Sequence, residues 1–500
     1  MPVDTSVLIA GAGPTGLTLA CELARRQVPF RLIDGAPAPF NGSRGKGLQP
    51  RSLEVFDDLG IASQAVAGGR FHMPMRIYAA DGYRDVDVHE GREPRPDVPY
   101  ASSLIIPQWR VEDLLRQKLG ELGGRVEYAV SLRELSNDGD GVSVVLEHAD
   151  GRKETARAAW LAGCDGGRST VRKLAGVSFD GETLDQHQML VGDVRVSGLD
   201  REHWHIWRTD KGFLALAPLP ATDQFQFQAS VDPALSEEPS LALFQRIVEE
   251  RSGRSDIHLD EPTWMSRWRA NMRMVDRYRV GRIFLAGDAA HVHSPAGAQG
   301  MNTGIQDAYN LGWKLAAVVG GIDDTLLDTY EDERMPVARW VLGLSTKLHF
   351  SILATQRADQ PRDEQTLQLG INYRHGRLTR EYRTDVHGPQ AGDRAPDAPA
   401  LRDDRGEHRL FDRFRGTHMT LLAFGTSWAG LLDDIEREFH GRVQVVSIAD
   451  GRTQDSGGHA ARAYGVTRDT LFVIRPDGYI GLATEVADIS PIAAYLRQLI

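Results

Sequence analysis

Cysteine is nearly missing: the 500 residues hold two, Cys21 and Cys164. Two thiols cannot build a disulfide framework, and such sparing use fits a reducing cytoplasm. No cysteine follows Cys164, so dithiol chemistry is excluded from the rest of the chain. Basic charge is also short. Lys and Arg total 58 against 69 Asp and Glu, a net charge of -11, which argues against a nucleic-acid partner. No apolar run nears the ~18 residues of a membrane helix. Residues 1–6 lack the basic-then-apolar pattern of a secretory signal. Neither an internal repeat nor a low-complexity tract occurs. What remains is a globular composition, long enough for about three domains at ~150 residues each.

Glycine is placed in three informative clusters. The first, Gly11-Ala12-Gly13-Pro14-Thr15-Gly16, follows the apolar run Val7-Leu8-Ile9-Ala10. A strand over residues 7–10, a helix over 15–26 and a second strand over 30–33 make a βαβ unit. In that setting Gly11 permits the tight turn, Gly13 admits a pyrophosphate to the backbone, and Gly16 lets helix and strand pack closely. The helix start supplies free N–H groups and partial positive charge for an anion. Asp34 closes the second strand, about 20 residues on, where an acid accepts from ribose hydroxyls.

The second cluster is Gly163-Cys164-Asp165-Gly166-Gly167-Arg168-Ser169. Two readings of Asp165 stand side by side. It caps the next helix, or with Arg168 and Arg172 it faces a cofactor cleft and helps receive a nicotinamide. The third is Phe284-Leu285-Ala286-Gly287-Asp288-Ala289-Ala290-His291, followed by a glycine-rich stretch from Ser294 to Gly304. A glycine-rich loop entering a long helix presents N–H groups and a dipole to an electron-rich ring. Asp288 can accept from a ribityl hydroxyl. His291 and His293 lack a third ligand at useful spacing, so no metal is assigned. Three distant motifs in this order point to one long anionic redox ligand, FAD.

The organisation is α/β: a Rossmann-like FAD-binding domain, an inserted antiparallel-sheet substrate domain and a smaller C-terminal unit. Residues 1–70, 100–180 and 276–355 are assigned to the first, and 71–99 with 181–275 to the second. Residues 356–388 are polar and turn-rich and read as a linker. Residues 389–500 form a separate βα unit. Helices are expected over 112–122, 302–319 and 326–350, and strands over 141–148, 156–162, 420–424, 443–448 and 470–474.

These motifs resemble the single-component FAD-dependent aromatic hydroxylases, the p-hydroxybenzoate hydroxylase-like class. The likeness covers residues 3–345 and includes Ser43-Arg44-Gly45-Lys46-Gly47-Leu48, Pro107-Gln108 with Glu112, and Tyr330-Glu331-Asp332-Glu333-Arg334. The tail from about Pro389 is similar to the thioredoxin-like domain of the phenol and polyketide hydroxylase branch, here without a cysteine pair. The resemblance implies that Gly11, Gly13, Pro14, Thr15, Gly16, Asp34, Gly35 and Arg44 surround FAD. It implies that Gln108 lies near the flavin or its ribityl chain, that the backbone at Leu132 borders the adenine, and that Asp165 and Asp288 belong to the site. Gly300, Met301 and Asn302 would line the isoalloxazine, with Pro295 against its reactive face. Arg44 and Pro295 are the candidate catalytic positions. Ala298 stands where many relatives have glycine.

The implied reaction is oxygenation of a phenolic or polyketide-type aromatic compound through a flavin C(4a)-hydroperoxide, with NADPH or NADH as reductant and O2 as co-substrate. Baeyer–Villiger insertion or epoxidation uses the same scaffold, and a non-catalytic flavin-fold binding protein is the reading from another class. Trp204, Trp207, Phe213, Phe225, Phe227 and Trp264 are either cleft-lining or core residues. His72, Tyr78, His203 and His205 are polar neighbours with no warrant beyond residue type, so no base is named. The run Arg267, Arg269, Arg273, Arg277, Arg279 and Arg282 is a solvated face or a phosphate-attracting patch. No membrane partner is expected, and a homo-oligomer is left open.

Overall fold

The computed structural model describes residues 4–79, 81–88, 95–294, 297–355, 363–448 and 451–500. Strand β1 (Thr5–Ala10), helix α1 (Pro14–Ala24) and strand β2 (Phe30–Asp34) make the opening unit. Val7, Leu8, Ile9 and Ala10 are all buried, as a parallel strand covered on both faces requires. Pro14 stands in the first turn of α1, where a missing N–H breaks no helical bond.

The main sheet runs Arg279–Val280, Ile283–Leu285, Lys153–Gly163, β1, β2, Val126–Tyr128. Its central pairings are parallel. The strand Val142–His148 adds antiparallel to Lys153–Gly163. Ala10 pairs with Gly163, and Gly163 with Leu285. Three strands far apart in sequence therefore end in one row, and each glycine cluster lies at or just beyond its strand end. That row is the carboxyl edge of a doubly wound sheet, where ligands of this fold bind.

A second sheet of eight strands is built around two long antiparallel strands, Asp180–Ser197 and His258–Met274. Met75–Ala79 and Gly82–Val86 extend its far edge. Met75–Ala79 pairs parallel with Trp204–Thr209, a parallel join in a sheet expected to be antiparallel. The insert enters from elsewhere in the chain, so no hairpin dictates its direction. Residues alternate between faces. Phe225 and Phe227 pack with Leu214, Leu216 and Trp207 beneath the helix Leu241–Ser252. Gln226 and Gln228 point the other way, toward loop 40–46 of the first unit, where Trp264 meets Phe40 edge-on at 5.6 Å.

The C-terminal unit has a five-stranded mixed sheet ordered Arg380–Glu381, Ile480–Thr484, Thr470–Ile474, Met419–Phe424, Val443–Ile448. Helices Ala429–Glu438 and Ile489–Arg497 pack against it, giving a thioredoxin-like layer. Of the stretch expected as a linker, residues 356–362 lie outside the described residues. Beyond them Leu367 and Gln368 are fully buried. No described helix is long and apolar enough to cross a membrane.

Candidate active site

The first cluster is built by exclusion of side chains. Gly11 has φ +102°, and a Cβ there would lie 2.4 Å from the carbonyl oxygen of Cys164. A Cβ on Gly16 would strike the Gly11 carbonyl at 1.9 Å. Both glycines serve packing between neighbouring backbones. Gly13 differs: nothing lies within 4 Å of its would-be Cβ, and it caps α1 with no side chain covering the helix start. An open space faces free N–H groups, the geometry an anion needs.

Asp34 braces this loop. Its carboxylate accepts from the Ala12 N–H at 2.7 Å and the Ala36 N–H at 2.8 Å. A Cβ on Gly35 would sit 2.8 Å from Ser131 Oγ, and Leu132, buried in the strand Val130–Asn137, follows directly. Gln108 opens the helix Gln108–Glu121. Its Oε1 accepts from the Gly45 N–H at 3.0 Å and its Nε2 donates to Glu112 at 2.8 Å. Burial pushes the Glu112 carboxyl up to about 7, against the pull of Gln108 and Arg116, with Asp34 and Arg44 also within electrostatic reach. Arg44 is exposed, with its guanidinium 5.0 Å from the Phe40 ring centre. Both Glu112 and Asp288 feel its charge.

The third cluster is locked from behind. Asp307 is fully buried on the helix Gly300–Val319. One oxygen accepts from the Gly287 N–H at 3.1 Å and from His291 Nε2 at 2.8 Å; the other accepts from Arg334 Nε at 2.8 Å. Burial opposes its charge, but Arg334 and His291 outweigh that and hold its carboxyl below the usual range. His291 thus serves the fold. Asp288 opens to the cleft, and desolvation by the surrounding protein raises its carboxyl.

Asn302 joins the other walls. It accepts from the Gln49 N–H at 2.8 Å and donates to the carbonyls of Gly47 and Ala298, both at 2.9 Å. Met301 reaches within 3.9 Å of the Cβ position on Gly45, and Gly300 faces His293. Ala298 has φ +57°, the left-handed region where glycine is least strained. Gln299 caps the helix without a side-chain bond to its first N–H groups. Pro295 lies outside the described residues.

For Asp165 the helix-capping reading describes the observed bonds. It accepts from Ser169 Oγ at 2.5 Å and from the N–H groups of Thr170 and Val171 at 2.7 and 3.1 Å. Arg172 ties the second cluster to the third by donating to Gly167 and Ala289 carbonyls at 2.8 and 2.9 Å. Arg168 is exposed.

Trp207, Phe225 and Phe227 are core residues beneath Leu241–Ser252. Trp204 and Trp264 face loop 40–46; Trp204 lies 4.1 Å from Lys46 Nζ. His205 stacks with Tyr78 and Trp207 on the core side. The guanidiniums of the 267–282 run each have a protein partner, from Glu237 and Asp185 to Phe179, Asp276, Asp328 and Gly139. Nothing in the sequence singles out Asp307 or Gln49, and Lys46, part of the 43–48 signature, gives no sign there of its neighbours Gln226 and Asp193. Lys46 donates to Gln226 at 2.5 Å, while Asp193, opposite Gln226, is buried with both oxygens lacking a well-formed hydrogen bond. Enclosure pushes Lys46 down to about 7, and burial lifts Asp193 to about 6. Only strand alternation, glutamine and aspartate inside an apolar run, could have pointed there.

The C-terminal unit reaches the helix Gly300–Val319 from behind. Asp477 accepts from Asn310 Nδ2 and Trp313 Nε1, both at 3.1 Å. Arg475 pairs with Glu333 at 2.6 Å, and Glu333 with Lys314 at 2.7 Å, all fully buried.

An FAD binding domain family model matches residues 4–345, and an aromatic-ring hydroxylase C-terminal model matches residues 388–500. The chain belongs to the FAD-dependent aromatic-ring hydroxylases. A flavin-dependent monooxygenase of Mycobacteroides abscessus is 47% identical to this hydroxylase over 96% of the chain and 97% of that protein. Pentachlorophenol 4-monooxygenase of Sphingobium chlorophenolicum is 33% identical, over 95% and 93%. The ternary complex of aklavinone-11 hydroxylase with FAD and aklavinone superposes with TM-score 0.84 at 26% identity, covering 100% of this chain and 99% of that one. The hydroxylase's own residues fit FAD: two uncapped helix starts supply donors, and the space over Gly13 is what a Cβ would fill.

Proposed function

We propose that this hydroxylase acts on a phenolic or polyketide-type aromatic ring bound at the eight-stranded sheet beside loop 40–46. The cleft-side residues support a flat substrate. Trp204 and Trp264, both partly exposed, offer aromatic faces beside loop 40–46, and Gln226, held by Ser43 and Lys46, fixes that loop against the sheet. Such aromatic faces suit a planar ring system.

FAD, reduced by NADPH or NADH, supplies the reaction of O2 with the ring. The chain holds and shields it. Gly13, Pro14, Thr15 and the start of α1 receive the pyrophosphate. Asp34 takes ribose hydroxyls with oxygens already oriented by Ala12 and Ala36. Gly35 and Leu132 border the adenine, Gln108 and Asp288 the ribityl chain, and Asp165 shapes the turn beside it. Gly300, Met301 and Asn302 present the helix start to the ring. Arg44, exposed and within electrostatic reach of both Glu112 and Asp288, is the cation assigned to the flavin. Its two buried free thiols suit a cytoplasmic enzyme.

The observation that carries this reading is the common row of Ala10, Gly163 and Leu285, which delivers three glycine motifs to one edge. The test is NADPH consumption under air with a panel of phenols and polycyclic aromatics, and NMR of the products. Substrate-stimulated consumption with a ring-hydroxylated product is expected. A ring-expanded lactone or an epoxide would replace the reaction type, and no stimulation by any aromatic would overturn the substrate class. Arg44→Ala should slow anaerobic flavin reduction in stopped flow by roughly tenfold or more, the loss of one charged contact. An unchanged rate removes Arg44 from the site.

A further inference from the structure

Residues 346–387 fall between the two stretches that the family models match. Part of that interval is built into the site. Gln368 is fully buried and has φ +62°, a left-handed backbone that a glutamine rarely adopts and that persists only where its surroundings enforce it. Its Nε2 donates to Gln299 Oε1 at 2.7 Å and to Thr303 Oγ1 at 3.3 Å, and its Oε1 accepts from Gln306 Nε2 at 2.6 Å. Gln299 returns the contact, donating to the Thr366 carbonyl at 2.9 Å and to its own loop at Gly297 at 2.8 Å. Two residues of this strap, Thr366 and Gln368, thus grip the helix cap and its first two turns.

We propose that Gln368 is a positioning residue for the flavin, fixing loop 297–299 and the helix start at Gly300 through Gln299 and Thr303. This rests on the reading that this loop and Met301 border the isoalloxazine. A helix start acts on a neighbouring charge only within its first turn. A small displacement of Gln299 therefore alters how strongly the N–H groups favour the reduced, anionic ring. Packing alone would not require three amide bonds and a left-handed glutamine.

Two variants separate strain from hydrogen bonding. Gln368→Met keeps volume and loses all three bonds; Gln368→Gly loses the bonds and relieves the backbone. Both are measured for FAD midpoint potential, for FAD affinity, and for the share of oxygen released as H2O2 with an accepted aromatic. Both should lower the potential, weaken FAD roughly tenfold and raise the H2O2 share. Wild-type potential and H2O2 share in both, even with lowered melting temperatures, would overturn the proposal. If Gln368→Met does not fold, Gln368→Gly and the facing Gln299→Met read the clamp from its two sides. Met301→Glu is the control: a potential that it fails to move means the loop is not at the flavin, and the site reading fails. A potential that moves with Met301→Glu but not with the Gln368 variants defeats the strap alone.

Discussion

The side chain of Thr15 occupies the space that a Cβ on Gly287 would need: such an atom would lie 2.4 Å from Thr15 Oγ1. Gly304 stands in the same relation, also at 2.4 Å. One threonine from the first motif is thus wedged between the third motif and the helix that follows it. Gly304 is helical, so Gly304→Ala adds a clash without backbone strain. It should cost about 1–3 kcal/mol and weaken FAD binding. Thr15→Ala in the same chain should recover most of the stability, because the obstructing oxygen is gone. Calorimetry of the single and double variants checks this; simple additivity would refute the wedge.

Gly13→Val behaves differently, since open space surrounds that Cβ. FAD-free protein should melt within about 1 kcal/mol of wild type in stability. Flavin affinity should fall at least about a hundredfold, because close approach to the backbone is blocked. Fluorescence titration with FAD measures it. Normal yellow protein would count against the cradle.

Glu112 gives a pH signature. Burial raises its carboxyl from 4.5 to about 7 in the folded chain, while the unfolded chain ionises at the ordinary value. Its contribution to stability is intact below about pH 4.5, is lost as pH rises through 7, and stays lost above. Glu112→Gln should therefore stabilise FAD-free protein by about 2 kcal/mol at pH 8 and leave it unchanged at pH 4.5. Denaturant melts at the two pH values decide; an equal effect at both would mean that Glu112 is not desolvated.

The latch from the C-terminal unit rests on buried charge. Glu333 compensates both Lys314 and Arg475. Removing it leaves Lys314 and Arg475 enclosed with only the Asp477 carboxylate, which pairs with Arg475, so Glu333→Gln should destabilise by about 3–5 kcal/mol and release FAD, although Glu333 is not at the cleft. Thermal melts followed by flavin fluorescence test this. Release of FAD well below global unfolding would show that the latch steadies the flavin-side helix in particular.

The elements that are one period long were legible. Strand 7–10, the helix after it and the long helix near residue 302 were found within a few residues, because burial on two faces or one stripe writes itself into spacing. The glycines of the site were legible for the same reason: a missing side chain is a local property. Asp165 was not, since capping and cleft-facing use the same residue after a strand. The partners of Asp307, the amides around Gln368 and the Lys46–Gln226–Asp193 cluster were invisible, because each bond joins residues 16 to 180 positions apart. A polar residue inside an apolar run signals an unmet bond, not its partner.

The amino-acid order by itself determined the chemistry on offer: three turns too tight for side chains, two helix starts without capping groups, and a tail with no thiol. Tertiary folding decided where these meet. Sheet register alone set Ala10, Gly163 and Leu285 abreast, and burial alone turned Gln368, Arg475 and Asp477 into supports for a helix distant in sequence. Strand pairing and desolvation depend on what lies across space, so neither can be read from neighbours along the chain.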